Sequence, residues 1–185
     1  EWATLDAPSV DLPAAELQRI AAHFAPAKLA VRPTRDEAVE QRKRRDGTFA
    51  RWLRINTLTH RVPGHAIVNI SLKGPGRVPG DATADQMDAV AAIADELGDG
   101  EIRVSYQQNL VLPTVPIARL PEVYDRLVAA GLAAANTELI TDIIACPGLD
   151  YCNLANARAI PVAQAIAERF ADADKASEIG PLRLN

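Results

Sequence analysis

The stretch EIRVSYQQNLVLPTV, residues 101–115, holds two runs of the β-branched and apolar residues that favour strands. The first run ends at Tyr106 and the second begins at Asn109, so that only Gln107 and Gln108 separate them. Two strands with so short a connection are typical of a β-hairpin. The hairpin is the centre from which the elements on either side can be assigned.

The segments around the hairpin alternate between strand and helix. Residues 65–72 and 139–145 predict strands, and residues 87–97 and 120–128 carry apolar side chains at helical spacing. Thr83 and Gln86 form a capping box in front of the first of these helices. The order strand, helix, strand, strand, helix, strand predicts an α+β ferredoxin-like fold. Its antiparallel sheet would carry both helices on one face and leave the other face open.

The hairpin is expected to place polar side chains on that open face. Because successive side chains of a strand alternate between its faces, Val104 and Tyr106 should face the helices and Arg103 the open side. The amides of Gln108 and Asn109 follow directly. Such a set is either an ordinary polar surface or an anion site, since a guanidinium pairs with carboxylates and phosphates.

The heptapeptide CPGLDYC, residues 146–152, follows the last predicted strand and is expected to open into a helix. Thiolates bind zinc and iron clusters, and a helix N-terminus stabilises a thiolate. Cys146 and Cys152 are the two cysteines of the chain, whereas a tetrahedral zinc site or a cubane cluster needs four ligands. The pair is therefore either structural or half of a metal site, with the other ligands beyond Asn185 or on another chain.

Composition excludes several classes of protein. Asp and Glu number 24 and Lys and Arg 20, a net charge of −4 that argues against general nucleic-acid binding. No apolar run approaches the roughly 18 residues of a membrane span. Two cysteines are too few for a secreted disulfide scaffold. We therefore expect a cytoplasmic protein without a membrane or nucleic-acid partner.

Two motifs in this order resemble the second half of the sirohaem-containing sulfite and nitrite reductases. They are RVSYQQN at residues 103–109 and CPGLDYCNLANAR at residues 146–158. ISLK at residues 70–73, PGD at residues 79–81 and Gln86-Met87 match the same family. The resemblance extends from about residue 49 to residue 185.

The resemblance implies a site built around two cofactors. Cys146 and Cys152 match the first of two cysteine pairs that hold a [4Fe–4S] cluster, and Arg103, Gln108 and Asn109 match a hairpin motif that helps to hold sirohaem. The implied activity is the six-electron reduction of sulfite to sulfide or of nitrite to ammonia. Most substrate-binding basic residues of this family lie in the other half, so no catalytic residue is assigned here.

The resemblance also implies a division of the chain and its partners. Residues 1–48 would be an N-terminal helical arm or linker, residues 49–140 the ferredoxin-like half-domain, and residues 141–185 the truncated start of the [4Fe–4S]/sirohaem domain. A chain that starts at Glu1 and has Met87 as its one methionine is expected to be a fragment, inactive alone, without bound cofactors and able to self-associate. Its partners would be the remaining halves of the reductase and an electron donor, either a flavoprotein or ferredoxin.

Two alternatives stay open. One is a non-enzymatic ferredoxin-like interaction module whose cysteines are structural. The other is a zinc-bridged dimer in which each chain supplies two thiols. Neither alternative explains why the Arg103 hairpin and the thiol segment occur together.

Overall fold

The computed structural model of the chain describes residues 12–24, 28–182 and 184. The chain divides into two compact units, residues 1–30 and 31–185. The first unit contains helix α1 (Ala14–His23), which has no buried residue and agrees with the helix predicted in the arm. The first eleven residues of that predicted arm lie outside the described part of the chain.

The second unit combines a four-stranded antiparallel sheet with six helices among its described residues. The strands lie in the order β1-β2-β4-β3. They are β1 (Thr57–Thr59), β2 (His65–Ile70), β3 (Arg103–Val104) and β4 (Leu110–Pro116). The helices are α2 (Glu37–Arg45), α3 (Gly47–Asn56), α4 (Ala84–Leu97), α5 (Leu120–Ala129), α6 (Ala159–Arg169) and α7 (Ala173–Ile179). This is the α+β architecture predicted from the sequence, including a helix after the cysteine pair.

The main core lies between the sheet and helices α3, α4 and α5. Strands β2 and β4 and these helices contribute to one buried cluster, which includes Val68, Ile70, Leu112, Val115, Val90, Ile93, Val123 and Leu127. Phe49, Trp52 and Tyr124 form an aromatic group in this core, with ring centroids between 5.2 and 6.1 Å apart. Burial of this apolar surface is the main favourable contribution to folding.

The strand predicted over residues 139–145 is not present as a strand. The edge of the sheet beside β2 is formed by β1, which pairs antiparallel with it from Thr57 opposite Val68. In the segment 139–145, Leu139 forms an isolated bridge with Pro181, and Asp142 is buried in a polar cluster. A buried carboxylate needs polar partners, and this requirement overrides the strand preference of its apolar neighbours.

Val104 lies opposite the buried Leu110 in the register of the sheet, but neither Val104 nor Tyr106 is covered by the helices as predicted. Both side chains are exposed. Strand β3 is only two residues long, and the chain leaves the sheet at Ser105, whose N–H donates to the carbonyl of Asn109 at 2.8 Å. Strand alternation therefore does not extend to Tyr106.

The sequence predicts capping boxes at Thr83–Gln86 and at Thr34–Glu37, and the two predictions have different outcomes. At α4, the Thr83 hydroxyl accepts a hydrogen bond from the Gln86 N–H, and the Gln86 side chain accepts one from the Thr83 N–H. At α2, the N-cap is Asp36, whose carboxylate accepts from the Val39 N–H at 3.1 Å. Thr34 is exposed and lies before the helix. An aspartate caps as well as a threonine, and its charge also interacts favourably with the helix dipole.

The cap of α4 provides a stability prediction. We expect Thr83→Ala to lower the free energy of unfolding by about 1 kcal/mol, because the Gln86 N–H loses its acceptor. Thr34→Ala is the matched control, since Thr34 caps no helix, and its effect should stay within about 0.5 kcal/mol. Chemical denaturation of both variants measures the difference. Equal losses would contradict this account of the α4 cap.

Candidate functional site

The hairpin turn holds the backbone that immediately precedes Cys146. Gln108 has a positive φ of 58°. Its side-chain Nε2 donates to the Ala145 carbonyl at 2.9 Å, and the Ala145 N–H donates to its Oε1 at 3.1 Å. The Gln108 side chain therefore pairs with both backbone groups of Ala145, as a peptide group of a neighbouring strand would.

The next residue of the turn, Asn109, is buried, and both the nitrogen and the oxygen of its side-chain amide form hydrogen bonds. Its Nδ2 donates to Asp142 Oδ1 at 2.9 Å. Its Oδ1 accepts from the Leu72 N–H at 3.1 Å and from Lys73 Nζ at 3.3 Å. The structure thus brings Gln108 and Asn109 against the chain that leads to Cys146, and both amides form bonds within the protein.

A buried ion pair lies beside Asn109. Lys73 Nζ and Asp142 Oδ1 are 2.8 Å apart, and only 1% and 2% of the two side chains is exposed. Lys73 Nζ also donates to the Gln107 carbonyl. Burial lowers the pKa of Lys73, because it penalises the charged ammonium, while the hydrogen bond with Asp142 acts in the opposite direction.

Neither member of this pair was assigned to the site from the sequence. The available signal was a charged residue at the end of one apolar run, Lys73, and another within a second apolar run, Asp142. Charged residues are seldom fully buried unless they are paired. Two such residues in separate apolar runs therefore indicate a possible pair, but sequence alone does not say which charges meet.

The cysteine segment folds around a short 3₁₀ turn at Gly148–Asp150. Cys146 is exposed and Cys152 is half-buried, and both are free thiols. Helix α6, the helix predicted after the cysteine pair, begins at Ala159 and not at either cysteine. The N–H of Leu149 instead donates to the Ala157 carbonyl at 3.0 Å, which closes the segment into a loop.

An open cavity of about 280 Å³ lies where the hairpin turn meets this loop. Gln108, Pro147 and Tyr151 line it, together with residues 78–81. Tyr151 and Leu154 expose 73% and 96% of their surface. Of these two, Tyr151 lines the cavity, so a ligand or partner that filled the cavity would cover exposed aromatic surface.

Arg103 occupies a different environment from the two amides. Its side chain is exposed, and its Nε lies 2.6 Å from Glu101 Oε1. The hydrogen bond to that carboxylate raises the pKa of Arg103. Arg103 therefore stays charged at the surface of the hairpin, on the strand that leads into the turn holding Gln108.

The donor set fits half of a cluster site. Cys146 and Cys152 supply two thiols, and iron–sulfur clusters are held by four thiolates. Within residues 12–24, 28–182 and 184, no group of three or more His, Cys, Asp and Glu side chains is placed to hold a metal ion. In the same described part of the chain, no helix is both long and apolar enough to cross a membrane.

Comparison with known proteins shows a similarity to one family. Residues 72–130 match the model of the nitrite/sulfite reductase ferredoxin-like half domain. This segment contains α4, the hairpin and α5. It begins just before Lys73 and ends before the cysteine segment. The predicted ferredoxin-like fold class is thereby confirmed.

Individual relatives point to the same family. The chain is 31% identical over 91 residues to the ferredoxin–nitrite reductase of Synechococcus elongatus, which covers 47% of this chain and 18% of that protein. It is 35% identical over 98 residues to the chloroplastic ferredoxin–nitrite reductase of Zea mays, covering 50% and 17%. It is 29% identical over 116 residues to sulfite reductase (ferredoxin) 2 of Mycolicibacterium paratuberculosis, covering 60% and 21%.

A solved structure agrees with these sequence relatives. The NirA protein of Mycobacterium tuberculosis superposes with a TM-score of 0.54 and 25% identity, over 71% of this chain and 24% of that protein. The resemblance to the sulfite and nitrite reductase family is confirmed, and residues 72–130 are similar to that family's ferredoxin-like half domain. The matches span only about a fifth of the length of the curated relatives.

The fold of the cysteine loop provides a second prediction. A Cβ on Gly148, which has a φ of +61°, would lie 2.4 Å from the Ala157 carbonyl oxygen, whereas a Cβ on Gly180, with a φ of +78°, would meet nothing within 4 Å. We expect Gly180→Ala to cost about 1–3 kcal/mol of backbone strain. Gly148→Ala should cost more and should open the loop, because the carbonyl has to move.

Amide hydrogen exchange separates the two glycines. The Leu149 N–H donates to the Ala157 carbonyl, so its exchange should accelerate in Gly148→Ala and stay unchanged in Gly180→Ala. Denaturation curves give the accompanying stability losses. Unchanged exchange at Leu149 in both variants would contradict a close approach at Gly148.

Proposed function

We propose that this chain is the part of a sulfite or nitrite reductase that supplies two thiolates of a [4Fe–4S] cluster and one wall of a sirohaem site. The parent activity would be the six-electron reduction of sulfite to sulfide or of nitrite to ammonia. The observation that carries the proposal is the contact between the family's half domain and the cysteine loop. The amide of Gln108 is bonded to Ala145, directly before Cys146.

The residues of the chain have distinct roles in this proposal. Cys146 and Cys152 would hold the cluster, and the other two thiolates would come from residues outside this sequence. Arg103 remains charged and exposed, as a group that pairs with sirohaem carboxylates has to be. Gln108 and Asn109 would contribute by fixing the loop that borders the cavity. The paired cofactors supply the electron-transfer chemistry, while the protein supplies binding and orientation.

The surroundings of the loop support a covered site. The cavity beside Gln108 is bordered by the exposed side chain of Tyr151, and Leu154 is almost fully exposed in the same loop. Apolar surface of this kind is removed from water when a large planar ligand or another part of a protein covers it. We propose that the sirohaem and the remaining half of the reductase do so.

The proposal extends to organisation and partners. Residues 1–48 would form the arm, 49–140 the half-domain and 141–185 the start of the cofactor domain, within a larger polypeptide that this chain alone does not replace. Several relatives are named as ferredoxin-dependent enzymes, which supports ferredoxin over a flavoprotein as electron donor. A cytoplasmic location is consistent with free thiols, which persist in a reducing compartment.

Substitution of the two cysteines tests the proposal. In the complete reductase, Cys146→Ser and Cys152→Ser should each abolish or strongly reduce bound iron and the cluster absorbance, because a hydroxyl is a poor ligand for iron in a cluster. Ala157→Ser is the matched control, since it adds a hydroxyl to the same loop and keeps both thiols. It should retain wild-type iron content.

The same measurement identifies the alternatives. If both cysteine variants keep the wild-type iron and sulfide content, the reductase proposal is overturned and a module with structural cysteines is favoured. Stoichiometric zinc without iron, lost on treatment with a chelator, would instead indicate the zinc-bridged dimer. Loss of iron from the Ala157→Ser control as well would show that iron binding is sensitive to any change in the loop and not to the thiols specifically.

A further inference from the structure

We infer that the buried pair Lys73–Asp142 is a positioning device for the loop that carries Cys146. The inference concerns two residues that the family resemblance did not single out as site residues. That this positioning serves a [4Fe–4S] cluster rests on the proposed function. The positioning of the loop itself does not. The pair would fix where the hairpin turn, the end of β2 and the cysteine segment meet.

Three segments of chain converge on this pair. Lys73 follows β2, Asn109 and Gln107 belong to the hairpin turn, and Asp142 lies in the segment that leads to Cys146. The ammonium of Lys73 has three acceptors, which are the Gln107 carbonyl, Asn109 Oδ1 and Asp142 Oδ1. An ammonium has three N–H groups, so its hydrogen-bonding capacity is matched.

Both oxygens of the Asp142 carboxylate also accept hydrogen bonds. Its Oδ1 accepts from Lys73 Nζ and from Asn109 Nδ2 at 2.9 Å, and its Oδ2 accepts from the Glu138 N–H at 2.8 Å. Each of these bonds has a preferred direction. Together they fix the carboxylate relative to both the turn and the backbone of its own segment.

Stability alone does not explain such a pair. The desolvation of two charges offsets much of their attraction, and a well-packed apolar pair of similar volume is often equally stable or more stable. What an apolar pair lacks is directional bonding. A buried pair with all its hydrogen bonds formed therefore specifies the relative position of the segments that it joins.

The fixed position is transmitted to Cys146 through a second anchor. Beyond Asp142, Ile143 and Ala145 pack in a small apolar cluster with Ala163 and Ala167 of α6. The backbone of Ala145 is then paired with Gln108, the turn residue next to Asn109. The segment is thus held to the same turn at two points, and Cys146 follows the second point directly.

A double variant separates positioning from stability. Lys73→Met combined with Asp142→Leu replaces the pair by apolar side chains of similar length. We expect it to lower the melting temperature, because the Asn109 amide, the Glu138 N–H and the Gln107 carbonyl lose buried partners. We also expect amide exchange at Ala145 to accelerate by about tenfold or more relative to the amides of α4 and α5. The Ala145 N–H is a suitable probe because it is bonded to Gln108 and not to either substituted residue.

The control is a variant that lowers stability elsewhere. Leu127→Ala removes a fully buried side chain of α5 and should lower the melting temperature without selectively accelerating exchange at Ala145. Unchanged exchange at Ala145 in the double variant would show that apolar packing positions the loop equally well, and it would overturn the inference. Should the double variant not fold, Asp142→Asn, which removes the charge but keeps an oxygen acceptor, is the second variant, and unchanged exchange at Ala145 in Asp142→Asn would likewise overturn the inference.

The result is distinguishable from that of the cysteine experiment. Exchange is measured on this chain of 185 residues without added iron, so the outcome does not depend on a cluster. Faster exchange at Ala145, together with full iron content in the cysteine variants of the complete reductase, would support the positioning role and reject the proposed function. The opposite pair of results would reject only the positioning role.

Discussion

A buried charge is stable only when it is paired with an opposite charge and hydrogen-bonded. The arrangement of this site depends on that constraint, because a lysine and an aspartate are both buried in it. Lys73 and Asp142 lie far apart in the sequence, and Asn109 lies between them in the chain. Their mutual bonding brings the end of a core strand, a hairpin turn and an irregular segment to one point. The cysteine loop starts from that point, so its location follows from a polar contact rather than from a backbone ladder.

The reductase family supplies the context for this arrangement. The matched half domain ends before the cysteine segment, and the structure shows how the two are joined. Gln108 adopts a positive φ, and its side-chain amide forms hydrogen bonds with both the N–H and the carbonyl of Ala145. A neighbouring strand would form these bonds with its backbone. A hairpin turn in this fold can therefore support the loop that contains the two cysteines, in addition to lining a cavity.

The sequence was most informative where the apolar pattern was regular. Helices α4 and α5, strand β4 and the cap at Thr83 could be predicted because each depends on spacing or on local hydrogen bonds. Prediction failed where a long-range polar contact decides the conformation. Residues 139–145 read as a strand because most of them are apolar, but the buried carboxylate of Asp142 fixes that segment without one. Likewise, alternation through Tyr106 assumed a longer strand than the two residues of β3.

The candidate site could likewise be predicted only in part. The cysteine pair and the turn amides could be named from motifs, whereas the bonds from Gln108 to Ala145, and those from Asn109 to Lys73 and Asp142, required three-dimensional information.

The edges of the sheet determine how another chain can associate with this one. Strands β1 and β3 form the two edges and are three and two residues long. They present few free peptide groups, and short edge strands are one way in which proteins prevent uncontrolled addition of foreign strands. A protein that associates with this domain consequently meets mainly side chains on its faces and loops, and recognition of side chains is selective by shape and charge.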